Sequence, residues 1–214
     1  MPAVVFDLDG TLVDSEPLSD DAWRAALAEH GYDIGEAELQ AVHGLRFGDV
    51  YASFALRAPL PPPDALWEEY SQLLFASFDE RLVSFADAVT TARQLQADGV
   101  PLALATSSRR ERLDRTLAAV NLAALFPVTV AGDEVARGKP APDGYLTAAE
   151  LLGVDPVHCV AIEDSQAGID AARAAGMKVL AVTRPGLRGA LTDADLLADE
   201  VSAAGVGALL LERP

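Results

Sequence analysis

The sequence predicts an α/β protein, a doubly wound parallel sheet that carries an inserted all-helical segment. Short aliphatic runs alternate with helical patterns, and several of these helices are followed by a glycine (Gly99, Gly153 and Gly176). A long stretch after the first strand holds helical patterns only. Uninterrupted apolar strands are typical of a parallel sheet covered by helices on both faces. We therefore expect ligands at the carboxyl ends of the strands.

The elements follow in order along the chain. The predicted strands are residues 3–6, 100–105, 128–131, 157–162 and 178–182. The predicted core helices are residues 86–97, 110–119, 143–152 and 166–175, with a last helix after Asp193. The inserted helices are residues 17–30, 36–42, 47–56 and 64–78. We expect a core domain of residues 1–14 and 82–214 and a helical cap domain of residues 15–81, which overhangs the ligand crevice.

Composition limits the classes of function. Half of the 214 residues are hydrophobic, which is enough for a sizeable core. The net charge of −17 repels polyphosphate, so we expect no nucleic-acid partner and no membrane surface. The first residues lack the basic region of a signal peptide, and the single cysteine, Cys159, fits a reducing compartment. We expect a cytoplasmic protein. Its oligomeric state stays open, and a monomer is compatible with the sequence.

Acidic residues follow two of the predicted strands. Asp7 and Asp9 come directly after the first strand, and Glu163 and Asp164 follow the fourth. If these strands are neighbours, the four groups share one crevice, where bare carboxylates repel one another unless a cation lies among them. An all-oxygen site favours Mg²⁺. Either pair alone could equally cap the next helix, but the two pairs together favour a metal site.

Hydroxyl and ammonium groups complete the set. Thr106 and Ser107 precede an arginine-rich helix, where hydroxyls and free amides can bind an anion, although an ordinary N-cap is the commoner use of such residues. Lys139, one of only two lysines, lies between Gly138 and Pro140 in a loop that these residues stiffen. Two interpretations are open: a charge held in position for an anion, or an ordinary surface lysine. Combined with the carboxylates, these are the parts needed for phosphoryl transfer through an aspartyl-phosphate.

Four motifs, taken in their order along the chain, resemble those of the haloacid dehalogenase (HAD) superfamily, and the resemblance extends to about Pro185. They are DLDGT at residues 7–11, Thr106 after a strand, Lys139 in GKPAPD, and Glu163 with Asp164 in IEDSQAG. The resemblance implies a Rossmann-like core with a helical cap of the C1 type. Within the superfamily, the chain is most similar to the β-phosphoglucomutase-like branch, which includes sugar-phosphate phosphatases.

The resemblance also implies roles for the site residues. Asp7 would attack phosphorus, Asp9 would act as general acid and then as general base, and Thr106 and Lys139 would hold the phosphoryl oxygens. The implied Mg²⁺ ligands are the Asp7 carboxylate, the Asp9 backbone carbonyl, Asp164, and Glu163 in or next to the coordination shell. The resemblance thus describes a Mg²⁺-dependent phosphatase.

Three other activities of the superfamily can be compared with hydrolysis through the residues that each one requires. Dehalogenases of the superfamily are not expected to keep Asp9, and phosphonatases need a cap lysine that residues 15–81 lack. Mutases of the β-phosphoglucomutase type are expected to carry a cap histidine near the place of Ser19, and a cap lysine. Hydrolysis is therefore favoured over a hexose-phosphate mutase. A catalytically inactive HAD-like binding or regulatory protein is the alternative from another class.

The predicted cap supplies candidates for substrate contact. Residues 43–47, His-Gly-Leu-Arg-Phe, lie where related proteins place a substrate-facing loop. The Gly-Leu-Arg sequence in this stretch resembles the corresponding loop of sugar- or polyol-phosphate phosphatases. Arg46 could hold a hydroxyl, a carboxylate or a second phosphate, or be a surface residue. His43 and Trp23 are further candidates, although packing is the commoner use of both. We expect a small phosphorylated metabolite as substrate and no nucleotide cofactor.

Overall fold

The computed structural model describes residues 2–184 and 191–211; Met1 and residues 185–190 and 212–214 of the predicted core lie outside it. The strands are β1 Ala3–Phe6, β2 Val13–Asp14, β3 Val83–Ser84, β4 Leu102–Ala105, β5 Val128–Val130, β6 Cys159–Glu163, β7 Lys178–Val182 and β8 Leu196–Ala198. The helices are α1 Glu16–Ala28, α2 Glu36–Gln40, α3 Phe47–Ala55, α4 Pro63–Ala76, α5 Phe78–Arg81, α6 Ala86–Ala97, α7 Arg110–Ala119, α8 Asp143–Leu152, α9 Gln166–Ala174 and α10 Ala203–Leu211.

The predicted fold class is confirmed. Six strands form a parallel sheet in the order β5-β4-β1-β6-β7-β8. Strand order reverses on either side of β1, which makes the carboxyl end of β1 the place where a ligand crevice opens in such a sheet. The strand predicted at residues 157–162 begins two residues later, because Pro156–His158 form a 3₁₀ turn that the Asp155 side chain caps.

Alternating side chains of the sheet build two different cores. Val4 and Phe6 of β1 face the layer formed by α6, α7 and α10, whereas Ala3 and Val5 face α8 and α9. The second layer is rich in alanine on both the strands and the helices, so α8 and α9 pack closely against the sheet. Both faces are buried, as the uninterrupted apolar strands predict.

The helices α1 to α5 lie between β2 and β3 and share a hydrophobic cluster of their own. Its centre is aromatic and includes Trp23, Phe47, Phe54 and Tyr70. The strands β2 and β3 pair antiparallel at the root of this insert, so its two connections to the sheet run side by side. The sequence predicts neither strand, because each has only two residues. Within the described ranges, no helix is both long and apolar enough to cross a bilayer.

Candidate active site

Neighbouring strands bring the predicted motifs to one edge of the sheet. Asp7 directly follows β1, Glu163 ends β6 and Thr106 follows β4, and β1 pairs with both β4 and β6. Lys139 arrives from the long loop between β5 and α8. Because parallel strands end at the same edge, residues up to 156 positions apart in the chain meet around Asp7.

The Lys139 ammonium lies between two carboxylates. Its Nζ donates to Asp7 Oδ1 at 2.5 Å and to Glu163 Oε1 at 2.5 Å, and the three side chains are at most 9% exposed. Burial raises the pKa of Asp7 well above its usual value; Lys139 opposes this, and the charges of Glu163 and Asp164 add to it. Burial lowers the pKa of Lys139, but the two facing carboxylates more than reverse this and hold the ammonium protonated.

Glu163 has hydrogen-bond partners on both carboxylate oxygens and no exposed surface. Its Oε1 accepts from Lys139 and from the Tyr145 hydroxyl, the latter at 2.7 Å. Its Oε2 accepts from the Asp164 and Ser165 backbone amides at 3.0 and 3.2 Å and from the Ser165 hydroxyl at 3.0 Å. Five donors thus fix Glu163 in place, and Glu163 in turn fixes Lys139.

The acidic cluster suits a hard cation. One carboxylate oxygen from each of Asp7, Glu163 and Asp164 lies within 4.8 Å of the others. Thr11 donates to Asp164 Oδ1 at 3.2 Å, and the space where a Cβ of residue 10 would stand is filled by the Asp164 carboxylate. Gly10, with φ of 79°, is therefore needed both for its backbone conformation and for this close approach. An all-carboxylate donor set of this kind fits Mg²⁺. The predicted Asp9 carbonyl ligand stays a prediction.

Asp9 lies beside this cluster with a different set of partners. Its Oδ1 accepts from the Ser15 hydroxyl at 2.5 Å and from Arg112 Nη2 at 2.7 Å. Its Oδ2 accepts from the hydroxyls of Ser108 at 2.7 Å and Thr106 at 3.4 Å. Burial raises the pKa of Asp9, but the Arg112 guanidinium and the two serine hydroxyls together hold that pKa below its ordinary value. Asp9 is therefore ionised near neutral pH, the state in which a carboxylate accepts a proton.

A pocket opens between the sheet edge and the helical insert. The core contributes Asp7, Asp9, Thr106, Ser107, Lys139 and Asp164 to its lining; the insert contributes Glu16, Trp23, His43, Phe47, Trp67 and Tyr70. The Ser107 hydroxyl is buried and has no hydrogen-bond partner among the described residues. A buried, unpaired hydroxyl in a pocket is a polar group that a bound ligand can satisfy.

The predicted cap residues divide into two groups. Trp23 lines the pocket and stacks on Tyr70 with ring centroids 4.4 Å apart. His43 also lines it, with Nε2 2.8 Å from Asp20 Oδ1 and 3.3 Å from Glu16 Oε2. Burial lowers the pKa of His43, but these two carboxylates raise it above its usual value.

Arg46 lies away from the pocket lining in this arrangement. Its Nε donates to Asp49 at 3.1 Å, and Nη1 donates to the carbonyls of Val135 at 3.5 Å and Ala136 at 3.4 Å. The same side chain covers Gly138, where a Cβ would collide with it. Arg46 therefore joins the insert to the loop that carries Lys139, and its predicted contact with substrate stays a prediction.

Tyr145, Arg112 and Arg109 are among the pocket and site residues that sequence reasoning missed. Tyr145 and Arg112 are buried polar partners of Glu163 and Asp9. Arg109 lines the pocket, with its guanidinium 4.8 Å from the ring centroids of both Phe47 and Trp67. A signal existed for Arg112: Leu113, Thr116 and Leu117 place it on the buried face of α7, where an arginine needs a partner.

Comparison with known proteins agrees with the fold and with the family that the motifs resemble. A family model described as "Hydrolase: haloacid dehalogenase-like hydrolase" matches residues 1–176. The chain is 33% identical to validoxylamine A 7'-phosphate phosphatase of Streptomyces hygroscopicus subsp. limoneus, over 92% of this chain and 93% of that protein. It is 34% identical to hexitol phosphatase A of Escherichia coli, over 90% and 88% of the two chains.

Solved structures agree. The crystal structure of CbbY from Rhodobacter sphaeroides in complex with phosphate superimposes with a TM-score of 0.86 at 27% identity, covering 97% of this chain and 100% of that one. Fold, site and relatives together define a phosphoric monoester hydrolase. The chain belongs to the haloacid dehalogenase-like hydrolase family, which confirms the family predicted from the motifs.

Proposed function

We propose that this protein hydrolyses phosphate monoesters of small sugars or polyols, with Asp7 as nucleophile and Mg²⁺ as cofactor. Two relatives that match most of the chain are named as phosphatases of validoxylamine A 7'-phosphate and of hexitols, which supports hydroxyl-rich substrates. The observation that carries the proposal is the Lys139 ammonium, 2.5 Å from Asp7 Oδ1 and 2.5 Å from Glu163 Oε1 beside Asp164. A fixed cation next to a carboxylate nucleophile suits a dianionic phosphate.

Each step can be written with these residues. Asp9 is ionised in the free site, and it takes up one proton from solvent when the phosphate dianion binds beside it. An Asp7 carboxylate oxygen attacks phosphorus, the bond from phosphorus to the ester oxygen breaks, and Asp9 donates this proton to the leaving oxygen, which leaves Asp9 ionised again. Asp9 then removes a proton from water, which attacks the phosphorus of phospho-Asp7 and releases inorganic phosphate with Asp7 restored. Lys139 and Thr106 hold phosphoryl oxygens throughout, and the unpaired Ser107 hydroxyl suits a further contact.

The cofactor would be held by Asp7 and Asp164, with Glu163 in or next to the shell and a contribution from the Asp9 carbonyl. When bound, Mg²⁺ neutralises carboxylate repulsion and orients the phosphate. The raised pKa values of Asp7 and Asp164, caused first by burial and then in part by neighbouring carboxylates, agree with a site arranged for a cation.

The helical insert would act as a cap domain of residues 15–81, closing over a small substrate and excluding water. Its aromatic residues and His43 suit a sugar or polyol, and Arg46 stays a candidate for contact with it. We propose the cytoplasm as the compartment, given a single, buried cysteine. The charge of −17 continues to argue against nucleic acid and membrane surfaces as partners.

A phosphate-release screen tests the proposal. Purified protein is assayed with Mg²⁺ against sugar, polyol and nucleotide monophosphates, and Asp7→Asn, with nearly the same volume, is the matched control. We expect release from at least one sugar or polyol phosphate, and loss of that release in Asp7→Asn and after removal of Mg²⁺ with EDTA. Interconversion of hexose 1- and 6-phosphates without net release would favour a mutase. Absence of both activities would overturn the proposal.

A further inference from the structure

A buried arginine of the core contacts both Asp9 and the helical insert. Arg112 lies on α7 with 9% of its surface exposed. Its Nη2 donates to Asp9 Oδ1 at 2.7 Å and to the Ser15 hydroxyl at 3.3 Å. Its Nη1 donates to the Tyr70 hydroxyl at 2.8 Å. One planar guanidinium therefore bonds to Asp9, to the root of the insert and to the insert's helix α4.

The contacts continue on the insert side. The Tyr70 hydroxyl also lies 2.9 Å from the Ser19 hydroxyl of α1, and Tyr70 is fully buried. Ser15, directly before α1, donates to the same Asp9 oxygen that Arg112 contacts. Two routes thus run from Asp9 into the insert, one through Ser15 and the other through Arg112 and Tyr70. If α4 moved away, Arg112 would lose the partner that sets the orientation of Nη1.

The other arginines of this segment have different partners. Arg109 packs on Phe47 and Trp67, and Arg110 pairs with Glu134 at 2.7 Å. In the part of the chain that the structure describes, the buried Nε of Arg112 has no hydrogen-bond partner, so its fixed position depends on the bonds made by its two terminal nitrogens. The guanidinium lines the pocket as well. These features give Arg112 a place in the site that its neighbours do not share.

We propose that Arg112 is a positioning residue that orients Asp9 through a contact completed by Tyr70 of the insert, so that Asp9 is correctly placed only when the insert is closed. The inference rests on the proposed function, because Asp9 matters only if it transfers protons there. It assigns Arg112 no direct contact with substrate. Its effect is on the chemical step, through the geometry of Asp9.

The test combines Arg112→Gln, Arg112→Lys, Tyr70→Phe and the double variant Arg112→Gln/Tyr70→Phe. Arg115→Gln is the matched control, because Arg115 is an exposed arginine of the same helix. The kcat and KM are measured for the best substrate of the screen, and thermal unfolding reports folding. We expect Arg112→Gln to lower kcat about 100-fold with KM within about threefold, a loss typical of impaired proton transfer.

The remaining variants test the link to the insert. Lysine keeps the charge but not the planar fork, so Arg112→Lys should also lose about tenfold or more in kcat. Tyr70→Phe should lower kcat about three- to tenfold, and the double variant should be no worse than Arg112→Gln alone, since both changes act through one contact.

Each result decides the question. If Arg112→Gln or a folded Arg112→Lys keeps kcat within about threefold of the unmodified enzyme, the positioning role is overturned. Independent, multiplicative losses in the double variant would overturn the link through Tyr70. If Arg112→Gln does not fold, Arg112→Lys and Tyr70→Phe carry the test. An unmodified protein without phosphatase activity would instead overturn the proposed function, and this inference with it.

Discussion

Both oxygens of the Glu163 carboxylate are engaged, and this limits what the residue can do. A carboxylate offers about four lone-pair directions, and Glu163 already accepts five hydrogen bonds. Little capacity remains for a cation unless one of these bonds is released. Asp7 and Asp164 have fewer partners, so they are better placed as ligands, with Glu163 beside the shell as the anchor of Lys139.

Tyr145→Phe tests this anchoring. The phenyl ring would keep its place 5.2 Å from Lys139 Nζ, while the hydroxyl bond to Glu163 is lost. We expect the free energy of unfolding to fall by about 1.5–3 kcal/mol, the range for hydrogen bonds to charged groups, and kcat to fall several-fold. Urea unfolding and the phosphate-release assay measure the two effects.

Tyr51→Phe is the control for this change. Its hydroxyl donates to the neutral carbonyl of Pro61 at 3.0 Å, inside the insert. We expect it to cost about 1 kcal/mol or less and to leave kcat unchanged. Equal stability of Tyr145→Phe and the unmodified protein would show that Glu163 does not depend on this hydroxyl.

Residue types at strand ends can be predicted from the sequence, but their partners cannot. Asp7, Thr106 and Glu163 follow apolar strands, so a parallel sheet alone brings them to one edge. Tyr145 and Arg112 lie on covering helices, and which helical face meets which strand end depends on packing across the whole sheet. The spacing of apolar residues in α7 predicts that Arg112 lies on the buried face, but it does not indicate that Asp9 is its partner.

At the scale of elements, the start of α9 packs directly against the site. A Cβ at Gly168 would overlap the Glu163 carboxylate, which cannot yield because its partners hold it from several sides. We expect Gly168→Ala to lower the free energy of unfolding by about 1–3 kcal/mol and to lower kcat by displacing Lys139. Chemical denaturation and the activity assay report both.

A second helical glycine supplies the control. Gly144 lies in the first turn of α8, and apart from its chain neighbours and its own helix backbone, no heavy atom of the described residues lies within 4 Å of the place of a Cβ. Because alanine favours helices, Gly144→Ala should raise stability by about 0.5–1 kcal/mol and leave activity unchanged. If the two variants behaved alike, crowding at Glu163 would not explain the loss.

The Asp87 carboxylate of helix α6 bonds to residues near the C-terminal part of the chain, and its contribution to stability depends on pH. Asp87 Oδ2 accepts from the Val201 backbone amide at 2.7 Å and from Arg184 Nη1 at 2.9 Å. Burial raises the pKa of Asp87, but these two donors outweigh it and leave the pKa below the ordinary 3.8. A lowered pKa in the folded state means that the stabilisation is complete above 3.8 and is lost as pH falls through the lower, folded value.

Asp87→Asn should therefore lower the free energy of unfolding at any pH above 3.8, and progressively less as pH falls below that value. We expect a loss of about 1 kcal/mol at pH 7, reduced from the usual value for a charged hydrogen bond because the site is partly solvated, and no difference in strong acid. Urea titrations at pH 7, 5, 4, 3 and 2 measure the difference, with Asp98→Asn at the other end of α6 as the control. A difference that persisted below pH 3 would contradict the ionic explanation.

The buried strands of the six-stranded sheet and the longer helices were predictable, whereas the two-residue strands β2 and β3 and the edge strand β8 were not. The alternation of aliphatic strands and helices predicts β1, β4, β5, β6 and β7. Strand β8 has only three residues, and one of them, Leu197, is exposed. The acidic residues beside it, such as Asp195 and Asp199, are unfavourable in strands, so the sequence shows no strand pattern there. The helix predicted at residues 64–78 divides at Ser77, whose hydroxyl bonds back to the Leu74 carbonyl at 2.7 Å.

At the scale of the whole molecule, Arg46 is the residue that joins the insert to the Lys139 loop. Its Nη1 donates to Val135 and Ala136, and its side chain covers Gly138, directly before Lys139. Removing it should loosen closure of the insert and free the loop that holds a phosphate ligand. We expect Arg46→Ala to raise both the KM for substrate and the inhibition constant of inorganic phosphate, each by about three- to tenfold.

Two measurements separate this role from direct contact with the leaving group. Inorganic phosphate has no leaving group, so a residue that binds only the sugar or polyol would change KM and leave phosphate inhibition unaltered. Arg57→Ala is the control, because Arg57 belongs to the insert and bonds to Tyr32 and Glu38 within it. A raised KM with unchanged phosphate inhibition would instead support the contact with substrate predicted from the sequence, and would mean that the insert moves Arg46 into the pocket when substrate binds.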